Sequence, residues 1–177
     1  MKAETFVKEV LALKPDFKDF AGLEYSISFI ESQVKEFEIN KISNHKHENE
    51  IFNLILNYDV SSLSINDITF DSKYQEDEVY YYVGHDVGPD RIVINKLNGN
   101  ISAIEPFSGK HMFHCAENAE KFFDALLEVM KFSKEKMLND YSEEQRDSRA
   151  AEAAYIAALK AGGEEYEDYY RAVLWLE

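Results

Sequence analysis

A chain of 177 residues with 45% hydrophobic and 14% aromatic content is long enough to bury one core and too apolar for disorder. Thirty-four acidic residues against 19 basic ones leave a net charge of −15, which repels nucleic-acid phosphates and anionic membrane surfaces. That charge has two readings, solubility alone or faster encounter with a basic protein partner.

The first apolar set, Phe6, Val7, Val10 and Leu11, has helical spacing and ends before Pro15. Ile27, Ile30, Val34 and Phe37 repeat that spacing, although Tyr25, Ile27 and Phe29 alternate and leave a strand start open. Residues 44–50 are polar and read as a loop, and Ile51, Leu54, Ile55 and Tyr58 suit a short helix. The period then changes. Residues 63–65 and 68–70 are short β-prone pieces, while 79–83 and 91–97 are dense in β-branched and aromatic residues. Asn98-Gly99 is the pair suited to a type I′ hairpin turn, with residues 101–107 returning as the partner strand. Pro106 belongs at a strand end or an edge, Ser108-Gly109 forms a further turn, and residues 111–114 make a last strand.

Helix resumes at Ala119. Phe122, Phe123, Leu126, Leu127 and Met130 form one stripe, extended by Met137 and Leu138, that predicts packing against a sheet face. Ser142-x-x-Gln145 is a capping box opening an Ala-rich helix that stops at Gly162-Gly163. A last helix carries Tyr166, Tyr169, Tyr170, Val173 and Leu174 on one face. The expected fold is α+β: an antiparallel meander flanked by N-terminal and C-terminal helices, with residues 1–140 as the domain and 141–177 as a helical extension packed on it.

Cys115, the single cysteine, cannot form an internal disulfide. Glu4 and Glu9 interrupt any signal-like apolar stretch, and no apolar run approaches the roughly 20 residues that span a bilayer. The expectation is a cytoplasmic protein without a membrane segment.

Chemistry-bearing patterns are sparse. His45-x-His47 sits in a polar loop with no second pair of ligands. His111 and His114, three apart on a strand, are expected to face opposite ways, so neither a metal nor a cofactor is expected. Cys115 before the long helix could act as a nucleophile with one of those histidines, yet a lone cysteine there is more often a core residue. Residues 84–90 hold two glycines with Asp86 and Asp90, without the spacing of a phosphate or calcium loop. No catalytic residue is therefore assigned.

The remaining candidate is a protein-binding patch. Glu76, Asp77, Glu78, Asp86 and Asp90 bracket Tyr80 and Tyr82, which alternation puts on one face, with Val79, Tyr81 and Val83 on the other. If the valine face is buried, the two tyrosines stand outward inside an acidic rim, a composition suited to a protein interface. If the chain's own helices cover the tyrosines, the patch does not exist.

Tyr81-Tyr82-Val83-Gly84, the strand from Asp90 to Leu97, the Asn98-Gly99 hairpin and Asn118-Ala119-Glu120-Lys121-Phe122-Phe123 together resemble the SUKH superfamily. The likeness covers about residues 63–132 well and the rest loosely, and the Pro-led helix common near the start of such proteins is absent. It implies an antiparallel sheet flanked by helices. It also implies a non-enzymatic role, either immunity by binding a cognate toxin, often a nuclease, or regulatory scaffolding without a toxin. An enzyme using His111, His114 and Cys115, or the Asp86 and Asp90 loop, is the third reading.

Overall fold

Helix α1 (Ala3–Leu13) follows from its apolar spacing and buries Phe6, Val7 and Val10. The computed structural model describes residues 1–86 and 88–176, so Val87, in the loop flagged above, lies outside the described residues. After a 3₁₀ turn at Phe17–Phe20 comes α2 (Ile27–Lys35), whose first turn is capped by the Ser26 side chain accepting from Phe29 N–H. That cap settles the Tyr25 to Phe29 segment as helix entry rather than strand. Asn49 likewise caps α3 (Glu50–Asn57). Tyr58, expected in the helix, instead leaves it, and β2 (Tyr58–Asp59) pairs with β1 (Asn40–Lys41) in a small antiparallel sheet.

The main sheet is an antiparallel meander in chain order: β3 (Thr69–Glu76), β4 (Tyr80–His85), β5 (Arg91–Asn95), β6 (Ile101–Ile104) and β7 (His111–Ala116). Residues 63–65 form no strand, although Ile65 and Ile68 make an isolated bridge across Asn66 and Asp67 at positive φ. The polar half of β3 was not foreseen, because its burial does not alternate beyond Phe70. Gly84 sits at a close approach of β3 and β4: a Cβ there would stand 2.2 Å from the Thr69 carbonyl oxygen.

The Asn98-Gly99 turn corrects the type I′ expectation. Asn95 N–H donates to Asn100 O and Gly99 N–H to Asn95 O, so four residues span β5 to β6. Only Gly99 (φ 77°) is left-handed, whereas type I′ needs two such residues. Glu105 to Lys110 repeats the pattern with Gly109 (φ 67°), which places Pro106 and Phe107 in the turn and ends β6 at Ile104. Each turn carries one large apolar residue in the open, Leu97 at 94% and Phe107 at 92% exposure.

Along the sheet, Ile92, Ile94, Ile101, Ala103, Val83 and Phe70 join the core on one face. Helix α4 (Ala119–Leu138), capped by Asn118, presents the foreseen stripe to that core, with Phe122, Phe123, Leu126 and Met130 all buried. Phe123 stacks on Phe6 at 4.5 Å and meets Phe70 edge-on. Helix α5 (Glu143–Ala161) opens with the Ser142–Gln145 capping box and lays Ala150, Ala154, Ala157 and Ala158 against the interior. Small side chains let it approach α4 closely. It ends at Gly162, and after a 3₁₀ turn α6 (Glu167–Val173) returns to β7, where Tyr170 Oη donates to the Cys115 carbonyl at 2.8 Å. The result is α+β, with the helices on one side of the five-stranded sheet. Among the described residues no helix is long and apolar enough to cross a membrane.

Candidate interaction face

Among the described residues, the helices α1, α3, α4, α5 and α6 join the core on the Ile92 and Ile94 side of the sheet, and the other side lies outside that core. Its rows follow from register: Gln75, Tyr82, Val93, Ser102 and His114 lie across from one another, and Arg91, Ile104 and His111 form the next row. Val93 and Ile104 are buried yet stand apart from the main core, and Ser102 is buried beside them. Half-buried Tyr80, Tyr82 and Arg91 and exposed His111 and His114 surround this floor.

Tyr82 is held from two sides. Its hydroxyl donates to Asp77 Oδ2 at 2.6 Å, and the Arg91 guanidinium lies 5.7 Å over its ring. Arg91 in turn donates to the Asp71 carboxylate and to the Gly84 carbonyl, and His85 Nε2 is 3.4 Å from Asp71. Tyr80 and Tyr82 do share the outward face as alternation required. Tyr81 goes inward against Phe52 and Tyr74. Val79, expected inside with Tyr81 and Val83, is instead half exposed, because β4 starts only at Tyr80.

The acidic residues do not form one rim. Glu76 pairs with Lys96, whose ammonium also sits 4.6 Å over the Tyr81 ring. Asp77 Oδ1 accepts from the Val79 and Tyr80 N–H groups at 2.7 Å, so with the Tyr82 bond its carboxylate organises the β3–β4 turn. The Tyr82 hydroxyl, then those two amides, hold its pKa below the ordinary range. Glu78 is exposed. Asp86 and Asp90 lie beyond the opposite end of β4, about 20 Å away at the usual rise per strand residue. Asp86, placed on the rim by sequence, is buried at 8% exposure, and Asp90 is half-buried.

The histidines correct a second expectation. His111 and His114 share a face, with ring centroids 4.1 Å apart. The reason is a bulge: His111 pairs with Ile104 and Phe113 with Ala103, which makes Met112 an extra residue and restores His114 to the side of His111. His111 Nε2 is 2.9 Å from the Ser102 hydroxyl, and burial, then the His114 charge, pushes its pKa down. Elsewhere, His47 packs edge-on against Phe52 and accepts from Asn49 N–H, and His45 N–H donates to Asn57. No group of three or more His, Cys, Asp or Glu capable of holding a metal exists among the described residues. Cys115 is fully buried, and burial pushes its thiol well up, so it forms no ready thiolate nucleophile.

Sequence reasoning did not identify Asp71, His85, Arg91 and Ser102 as part of this face. Alternation on β5 and β6 signals Arg91 and Ser102, but nothing local announces that Asp71 reaches Arg91. Compared with family models, with curated proteins and with solved structures, the chain matches none.

Proposed function

We propose that this chain is a protein-binding module of the immunity type, which uses the open face of its five-stranded sheet to hold a basic partner such as a toxin domain. One observation carries the reading. A sheet face with a buried apolar floor at Val93 and Ile104, which stand apart from the main core, is ringed by tyrosines and histidines. Such a face is a ready interface, because anchoring aromatics are already held by neighbours and lose little freedom on binding.

The net charge of −15 supplies attraction at a distance. On the face itself Asp71 is matched by Arg91. Charge on this reading sets the rate of encounter, and aromatic burial sets how long the complex lasts. The likeness of residues 63–132 to the SUKH superfamily supports the immunity form of the reading. The test is to purify the product of the adjacent gene and measure both its binding and its activity with this chain added. Tight binding with loss of activity is expected. Binding without inhibition would favour the regulatory scaffold, and no binding would remove the immunity reading.

A further inference from the structure

One feature the open face does not account for is a pocket of about 290 Å³ at the edge of the sheet, between the β4–β5 loop, β7 and the end of α6. It is lined by Asp86, Asp90, Phe113, Tyr169, Val173 and Trp175. We propose that this pocket receives a cationic side chain, lysine or arginine, projected by a basic protein partner. The inference deepens the function proposed above and rests on it for the identity of the donor.

Three observations converge. The lining pairs two carboxylates with three aromatic rings, and ring faces attract cations as carboxylates do. The volume falls just below the roughly 300–1,000 Å³ of small-molecule sites and suits one long side chain. Tyr169 adds a buried polar group: it is 1% exposed, and among the described residues its hydroxyl has no hydrogen-bond partner stronger than the weakly bonding Cys115 sulfur beside it. Buried hydroxyls are nearly always satisfied, so an orphan in a pocket wall is a place for a ligand's N–H.

Trp175 points the same way. Leu176 N–H donates to Arg171 O and Trp175 N–H to Ala172 O, the two bonds of a Schellman cap on α6. The residue at the left-handed position of that cap is usually Gly; here Trp175 takes φ 59° and remains 63% exposed. A bulky residue held in a disfavoured conformation, its indole open to solvent at a pocket wall, gains nothing for the core. Trp also makes the strongest cation–π partner.

Because Trp175 is the chain's single tryptophan, its fluorescence reports on the pocket directly. The intact protein is titrated with the blocked tripeptides acetyl-Gly-Lys-Gly-amide and acetyl-Gly-Arg-Gly-amide, with the norleucine tripeptide as the neutral control. At least one cationic peptide should give a saturable change and norleucine none. Asp90→Asn, at a half-buried position that leaves the core intact, should raise the half-saturation concentration roughly tenfold, as expected for losing a charge-assisted hydrogen bond. An equal response to norleucine, no response to either cation, or an unchanged half-saturation in Asp90→Asn would each overturn the inference. The assay contains no partner protein, so its failure is separate from failure of the partner reading, which is judged by binding of the adjacent gene product.

Discussion

Replacing Gly84 by Ala should loosen the junction of β3 and β4 without touching any side chain of the core. The added Cβ would stand 2.2 Å from the Thr69 carbonyl oxygen and 3.2 Å from its carbonyl carbon. Carbon–oxygen contacts between strands sit at about 3.3–3.6 Å, so one backbone must retreat by roughly 1 Å. Neither can do so freely, since Gly84 is paired with Phe70 on one side and Ile92 on the other. Overpacking of this kind costs about 1–3 kcal/mol, and the upper end applies because the obstacle is backbone. A smaller unfolded-state entropy returns about 0.4–1 kcal/mol, leaving a net loss of about 2 kcal/mol. Gly99→Ala isolates the other cost of losing a glycine: its Cβ meets nothing within 4 Å, but φ is 77°. That change should cost about 1 kcal/mol, and Gly99→Asn less. Urea unfolding of the three variants at equal slope measures all of this. A loss below about 0.5 kcal/mol for Gly84→Ala, on the scale of a neutral surface change, would refute the close approach and with it the β3–β4 register.

Leu126→Ala, at a fully buried site on α4, should cost about 2–5 kcal/mol in the same assay, and a loss near zero would show the stripe is not packed. His111 has a folded pKa below its unfolded value of about 6.5, so the unfolded chain binds more protons as pH falls. Stability should hold above about pH 6.5 and decline below it through the folded value, and His111→Gln should flatten that part of the profile. Cys115 should resist a thiol reagent in the folded state and react at once in denaturant, whereas rapid native labelling would contradict its burial.

How much of this was legible depended on whether the governing signal was local. The β4 to β7 meander and the α4 stripe follow from period and turn residues a few positions apart, and both are present. The α5 start was legible for the same reason, since Ser142 and Gln145 carry the whole signal. Turn geometry was not, because Asn-Gly fits both a two-residue turn and the last step of a four-residue one. Strand β3 was missed beyond Phe70 because an edge strand with exposed residues has no alternation to read. The candidate site suffered most. Proximity in sequence grouped Glu76, Asp77, Glu78, Asp86 and Asp90, but β4 separates them by its own length, and Asp86 is buried. A single inserted residue, Met112, reversed the expected positions of His111 and His114.

The placement of Asp77 also decides which variants can test binding. Reversing Glu76, Asp77 and Glu78 together would break the Lys96 pair and the β3–β4 turn, so loss of binding would not locate an interface. Tyr80→Ala with His114→Ala leaves the Asp77–Tyr82 tie intact and removes two side chains from the open face. The most direct measurement is therefore the dissociation rate of this double variant from the adjacent gene product, beside its urea unfolding curve. Dissociation should be faster by tenfold or more, in the manner of aromatic anchors at an interface, with stability little changed. An unchanged dissociation rate in a folded double variant would contradict the claim that the open sheet face holds the partner.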